Sequence, residues 1–202
     1  MQIPLWAAIL AAPVLAAVAM PVLPWPEPPA KPTAAASAAE SPVVPTYDGN
    51  RALRLPDDYR QWVFVGSSLG LSYDASAPDH EMFNETLMEP TAYQHFVNTG
   101  EFREGTMFVL MLHGIERAVL PGRRGQFAGA LHGVEMAVKD RTRTPEGWAY
   151  YGFGGMGSIA RTAQPEGIGC FNCHKTHAAR DNVFLQFYPL LAEAARLTTR
   201  KP

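Results

Sequence analysis

Thr106-Met107-Phe108-Val109-Leu110-Met111-Leu112-His113-Gly114-Ile115 is a dense apolar run bounded by Gly105 and Gly114. It is too short for a buried helix of ordinary length, and it lacks the polar stripe of an amphipathic one. This pattern predicts a strand buried on both faces. Downstream, Phe127 to Lys139 alternates in part through Leu131, Val134, Met136 and Val138 and predicts a second long strand. Trp148 to Phe153 is short and aromatic, a third. Upstream, Val63-Phe64-Val65 suits a strand running into a Gly66-Ser67-Ser68 turn, after a short helix over Pro56 to Trp62. Glu89 to Thr99 reads as a helix with Pro90 in its first turn and Gly100 as its stop. Asp181 is placed to cap a helix carrying Val183, Phe184, Phe187 and Tyr188, with Pro189 ending it or opening another to Leu197. Strands joined by hairpin-length connections, with helices on either side, give an α+β domain. Its frame is a mostly antiparallel β-sheet with flanking short helices.

The flanks of this domain are of different character. Ile3 to Val22 is apolar and uncharged, and Ala17-Val18-Ala19 is an A-x-A-like cleavage signature. Residues 1–22 therefore read as a signal peptide or, if uncleaved, an N-terminal anchor, since about 20 apolar residues span a bilayer. Both readings place the remainder outside the cytoplasm, in the periplasm of a bacterium. Residues 23–46 are rich in Pro and Ala and poor in large apolar side chains, a semi-rigid linker. Residues 47–202 remain as one domain with one core. The net charge of −2 and the absence of a Lys/Arg cluster argue against nucleic acid as a partner, and Arg123-Arg124 reads as a solvated turn. The membrane is a partner only through the N-terminus.

The chemistry is concentrated in Cys170-Phe171-Asn172-Cys173-His174, which holds both cysteines of the 202-residue chain. C-x-x-C-H is the attachment pattern of a c-type haem. Two thiols one helical turn apart each form a thioether with a haem vinyl group, and the adjacent histidine supplies the proximal nitrogen to iron. Two other uses of the pair stay open. A redox C-x-x-C wants a preceding strand, whereas Ile159 to Gly169 is punctuated by Gly and Pro. A zinc site wants further ligands at matching spacing, and there is no second C-x-x-C. The haem reading makes Cys170, Cys173 and His174 the cofactor-binding residues, with His174 the iron ligand on a C-terminal attachment helix and one covalent haem per chain.

Beyond this motif, Tyr59-Arg60-Gln61-Trp62, Thr99 to Thr106, Val138-Lys139-Asp140, Gly147-Trp148 and Asp181-Asn182-Val183-Phe184 occur in order around it. The ordered set resembles the cytochrome P-460 family, which includes the cytochromes c′-beta, over roughly Leu55 to Pro189. The resemblance implies a mostly antiparallel sheet, a single c-type haem near the C-terminus and a homodimer. In hydroxylamine-oxidising members a lysine on the strand after the Gly-Thr pair is bonded to the haem ring. The corresponding position here is about Leu110, and Thr106 to Leu112 contains no lysine. The resemblance therefore does not extend to that cross-link.

The strand offers Met107, Phe108, Val109 and Leu110 instead, an apolar wall that favours small neutral gases. Phe108 and Leu110 are accordingly candidate distal residues, as is Phe83, read in a loop that can cap the iron. Other candidates have structural readings that outweigh the functional ones: His113 and His132 as distal groups, Met107, Met111, Met136 and Met156 as axial ligands, Glu135 as a distal base, and Arg103 and Lys175 as propionate partners. Met156, on the glycine-flanked segment Gly154 to Gly157, is the best of the methionines. The first expectation is a protein that binds or handles nitrogen oxides such as NO at an open distal site, exchanging electrons with a redox partner protein. The alternatives are an electron-transfer cytochrome with six-coordinate haem and, if a haem–lysine bond exists, a hydroxylamine oxidoreductase. As an enzyme it would be a haem oxidoreductase acting on hydroxylamine or NO.

Overall fold

The computed structural model describes residues 43–49, 52–71, 81–153 and 169–199. The N-terminal segment through residue 42, and Met156 with its glycine-rich surroundings, lie outside the described residues. The element order is β1 (Tyr47–Asp48), β2 (Ala52–Leu53), β3 (Val63–Leu69), β4 (Phe83–Met88), α1 (Pro90–Thr99), β5 (Met107–Arg117), β6 (Gln126–Lys139), β7 (Trp148–Phe153), α2 (Cys170–His177) and α3 (Pro189–Thr198). Single 3₁₀ turns occupy Tyr59–Gln61 and Leu185–Phe187. Strands β3 to β7 form one antiparallel sheet in sequential order, and β1 pairs with β2 separately. The expected α+β class, a mostly antiparallel sheet with short helices, is the fold observed.

Alternation sends the two faces of the sheet into different cores. Leu87, Met107, Val109, Val134, Met136, Val138 and Tyr151 point one way and are covered by Leu53, Tyr59 and Trp62, with Val43 and Tyr47 packed alongside. Met88, Phe108, Trp148 and Tyr150 point the other way, against Ala92 and Phe96 of α1, Phe171 of α2 and Leu191 of α3. Both faces of the sheet are thus removed from water where β5 begins. The expectation of a doubly buried strand holds for Met107, Phe108 and Val109. Beyond Leu112 the β5–β6 hairpin runs out into solvent, and Leu120 and Phe127 near its tip are exposed.

Helix α1 forms as its sequence dictates. The Glu89 carboxylate accepts from the N–H groups of Thr91 (3.0 Å) and Ala92 (2.7 Å), Pro90 opens the first turn, and Gly100 closes it at φ 75°. Arg103 pairs with buried Glu89 and also donates to Thr91 Oγ1. It is part of this cap. Lys175 is exposed and pairs with Glu146.

Four expectations are corrected by tertiary contacts. Gly66-Ser67-Ser68 is no turn: β3 continues to Leu69 with a register shift between Phe64 and Gly66. Gly66 is needed because a Cβ there would lie 2.8 Å from the Phe187 carbonyl oxygen. Gly114 does not end β5, which passes through it with local register shifts. Phe83, read in a loop, begins strand β4. Its Asn84 and Thr86 face the second core, so the apolar alternation that marks a half-buried strand is missing. Asp181 does not cap a helix. Asp181 and Asn182 have φ of 45° and 55°, which a right-handed helix excludes, and regular helix resumes only at Pro189.

Candidate functional site

Pairing register builds the site. Thr86, Leu110, Glu135 and Gly152 are consecutive cross-strand partners from β4 to β7, and Met88, Phe108, Ala137 and Tyr150 form the next row. These rows lie on the face that carries α2. Between sheet and helix is a cleft that opens to solvent at its mouth. Phe108, Leu110 and Glu135 line it from the sheet, and Cys170 and His174 from α2. Phe184, Phe187 and Tyr188 contribute from the segment that follows.

Of the six residues expected to hold the cofactor, the structure brings Phe108, Leu110, Cys170 and His174 to this cleft. Cys173 lies one turn beyond Cys170 on α2 and is half-buried. Phe83 starts β4, paired between Leu69 and His113, and does not line the cleft. Met107 points into the opposite core, Met111 packs against it, and His113 binds the Gly129 carbonyl at 2.9 Å. Met136 touches the wall, but its side chain belongs to the opposite core. Among the described residues His174 is the only histidine of the cleft, and no lysine lines it. Lys139 is buried elsewhere, 2.6 Å from Asp181.

His174 is held in one orientation. Its Nδ1 lies 2.7 Å from the Asn182 carbonyl oxygen, which can only accept, so Nδ1 carries the proton. Nε2 is left with its lone pair, the atom available to a metal. Burial lowers the pKa of the ring, opposed by the Asn182 carbonyl, and this favours the neutral ligand form. Tyr150 and Phe184 clamp the imidazole, with ring centroids 4.5 and 4.4 Å away.

The opposite wall is less apolar than the β5 sequence suggested. Glu135 sits beside Leu110 on the neighbouring strand, and burial raises its pKa above the ordinary carboxyl value. Two further wall groups have no hydrogen-bond partner among the described residues: Asn84 Oδ1 and the Tyr150 hydroxyl, both buried. Unpaired buried polar atoms are costly, of order 1–3 kcal/mol each. Two of them lining one cleft point to a bound group that meets them. The donor set fits a haem: the Cys170 thiol in the lining with Cys173 one turn further along α2, an adjacent imidazole with Nε2 free, and aromatic walls. Among the described residues no group of three or more His, Cys, Asp or Glu gathers as a zinc site would require.

Over residues 56–185 the sequence matches the profile of the family Cytochrome P460. The chain belongs to the cytochrome P460 family. This span runs from the turn before β3 to the 3₁₀ turn after α2 and contains the whole cleft wall built by the sheet. No curated protein matches the chain in sequence. Membership identifies this cytochrome P460-family protein as a haem-binding cytochrome, which agrees with the His174 imidazole and Cys170 thiol at the cleft. Asn84 and Tyr150 were the site residues that sequence reasoning missed. Tyr150 was legible only as one aromatic in Trp148–Phe153, and Asn84 lies in a strand whose pattern gave no strand signal.

Proposed function

We propose that this cytochrome P460-family protein is an exported mono-haem c-type cytochrome that binds a small nitrogen oxide, NO foremost, in the cleft between sheet and α2. The observation that carries this reading is the commitment of His174 Nδ1 to Asn182, which leaves Nε2 to a cleft with no second imidazole among its described residues. Cys170 and Cys173 would hold the haem by thioethers, and His174 would ligate its iron. Haem iron bound in this way supplies one-electron redox chemistry and an axial position for a diatomic ligand.

The chain's own residues favour a neutral ligand. Phe108 and Leu110 offer no hydrogen bonds, so an uncharged diatomic loses little hydration beside them. An anion would meet the same apolar walls and, once Glu135 ionises, a carboxylate in a confined site. Ferrous protein should therefore take up NO or CO readily and ferric protein should bind cyanide or azide weakly. Optical titration tests this. A low-spin ferrous spectrum that does not change under CO would replace this reading by the electron-transfer one.

Glu135 supports a second reading. Hydroxylamine oxidation releases protons together with electrons, and a carboxylate beside the ligand can accept the proton while a redox partner protein takes the electrons. Leu110 in place of the lysine argues against it. Turnover of hydroxylamine with an external electron acceptor, lost in Glu135→Gln, would establish this second reading. Export to the periplasm and a homodimeric state complete the proposal, supported by the apolar N-terminus and the family resemblance respectively. Fractionation of expressing cells and sedimentation of the purified protein test them.

A further inference from the structure

Lys139 ends β6 with 5% of its surface exposed. A buried ammonium is costly unless it is paired and fully hydrogen-bonded. Its Nζ donates to the Phe102 carbonyl at 2.7 Å and to Asp181 Oδ2 at 2.6 Å. The other carboxylate oxygen of Asp181 accepts from Trp148 Nε1 at 3.3 Å. Asp181 is thus bolted to the last residue of β6 and the first of β7.

In the turn so anchored, Asp181 and Asn182 both have positive φ, a left-handed conformation that Asp and Asn adopt more readily than other non-glycine residues. Val183 N–H closes it onto the Arg180 carbonyl at 2.7 Å. Within this turn the Asn182 carbonyl accepts from His174 Nδ1. A continuous path therefore runs from the sheet through the ion pair and this turn to the imidazole. Trp148, His174, Asn182 and Val183 of this path line the cleft, and Lys139 and Asp181 do not.

We propose that Lys139 is a positioning residue for His174, acting through Asp181 to hold the Asn182 carbonyl on Nδ1 and so to set the donor strength of Nε2. This rests on the reading of His174 as the haem ligand. Partners of a ligating histidine's other nitrogen fix its ring and raise its basicity. Loosening the turn should therefore weaken Nε2 as a donor, which destabilises ferric relative to ferrous iron.

The experiment uses the haem-loaded protein, with Lys139→Met and Asp181→Asn made singly and together. Resonance Raman of the ferrous form reads the iron–histidine stretch, and spectroelectrochemistry reads the potential. The expected result is a stretch moved to lower frequency and a potential moved upward in both single variants. The double variant should show no more than the larger single shift, because both changes act on one path. Lys139→Arg, which keeps the charge, should recover part of the shift. If Lys139→Met does not fold, Asp181→Asn decides alone. Folded, haem-loaded Asp181→Asn with stretch and potential both unchanged overturns the proposal. A wild-type ferrous haem that is five-coordinate and high-spin yet shows no iron–histidine mode overturns the ligand reading itself, and the proposal with it.

Discussion

Phe108→Ala separates the wall of the cleft from the bulk of the core. Phe108 is 6% exposed and packs on three aromatic rings: Phe102 at 5.7 Å, Trp148 at 6.0 Å and Tyr188 at 6.2 Å between centroids. Removing a buried phenylalanine costs about 3–5 kcal/mol, within which such ring pairs account for about 0.5–1.5 kcal/mol each. Phe108 borders an existing cleft, so the new void merges with it and fewer severed contacts are left around a closed hole. The lower end, about 3 kcal/mol, is expected. For a domain of this size that is a fall in Tm of about 6–12 °C. The same substitution widens the route to the cleft, so the on-rate for CO or NO should rise. The assay pairs a thermal melt with flash photolysis of the CO adduct, and Phe83→Ala is the control. Phe83 is half-buried at the start of β4 and away from the cleft, so its removal should lower stability and leave gas kinetics alone. A Phe108→Ala protein that loses stability with unchanged gas kinetics, or a Phe83→Ala protein with altered kinetics, would refute this placement of the wall.

Glu135 sets a pH dependence. Its pKa is raised by burial from the ordinary value of about 4.5, so the folded state holds this proton more tightly than the unfolded chain. The associated stability is present below the unfolded pKa and is lost as pH rises through the folded one. Glu135→Gln should flatten that part of a Tm-against-pH curve and raise Tm on its alkaline side, and an unchanged slope would count against a buried carboxyl. Protein matured with a periplasmic haem-attachment system should keep its haem on denaturing gels. Cys173→Ala should leave at most one thioether, and haem lost from mature wild type would end the covalent reading. Mass spectrometry of the haem peptide should show no lysine attached, because the cleft has none among its described residues and Lys139 is held by Asp181. Leu110→Lys would place an ammonium across the strand pair from Glu135, and a salt-bridge-dependent rise in Glu135 acidity should appear in the same pH scan.

What the sequence determined by itself is local. The apolar run of β5, the alternation of β6, the aromatic β7 and the Glu89–Gly100 helix follow from side-chain pattern and capping chemistry within a few residues. C-x-x-C-H is likewise complete in five consecutive residues, so its meaning needs no partner. The tertiary structure alone decided what lies beside what. Strand β4 was hidden because its second face meets a polar cleft wall, which erases the hydrophobic alternation. Glu135 reached the cleft because pairing register sets it next to Leu110, 25 positions earlier in the chain. Asp181 read as a helix cap because an acid before an apolar run usually is one. It became an anchor because buried Lys139, 42 positions away, needs a counter-charge more than a short helix needs a cap. Such choices are set by burial and pairing between distant segments. The local pattern supplies the elements, and desolvation of their polar groups selects the neighbours.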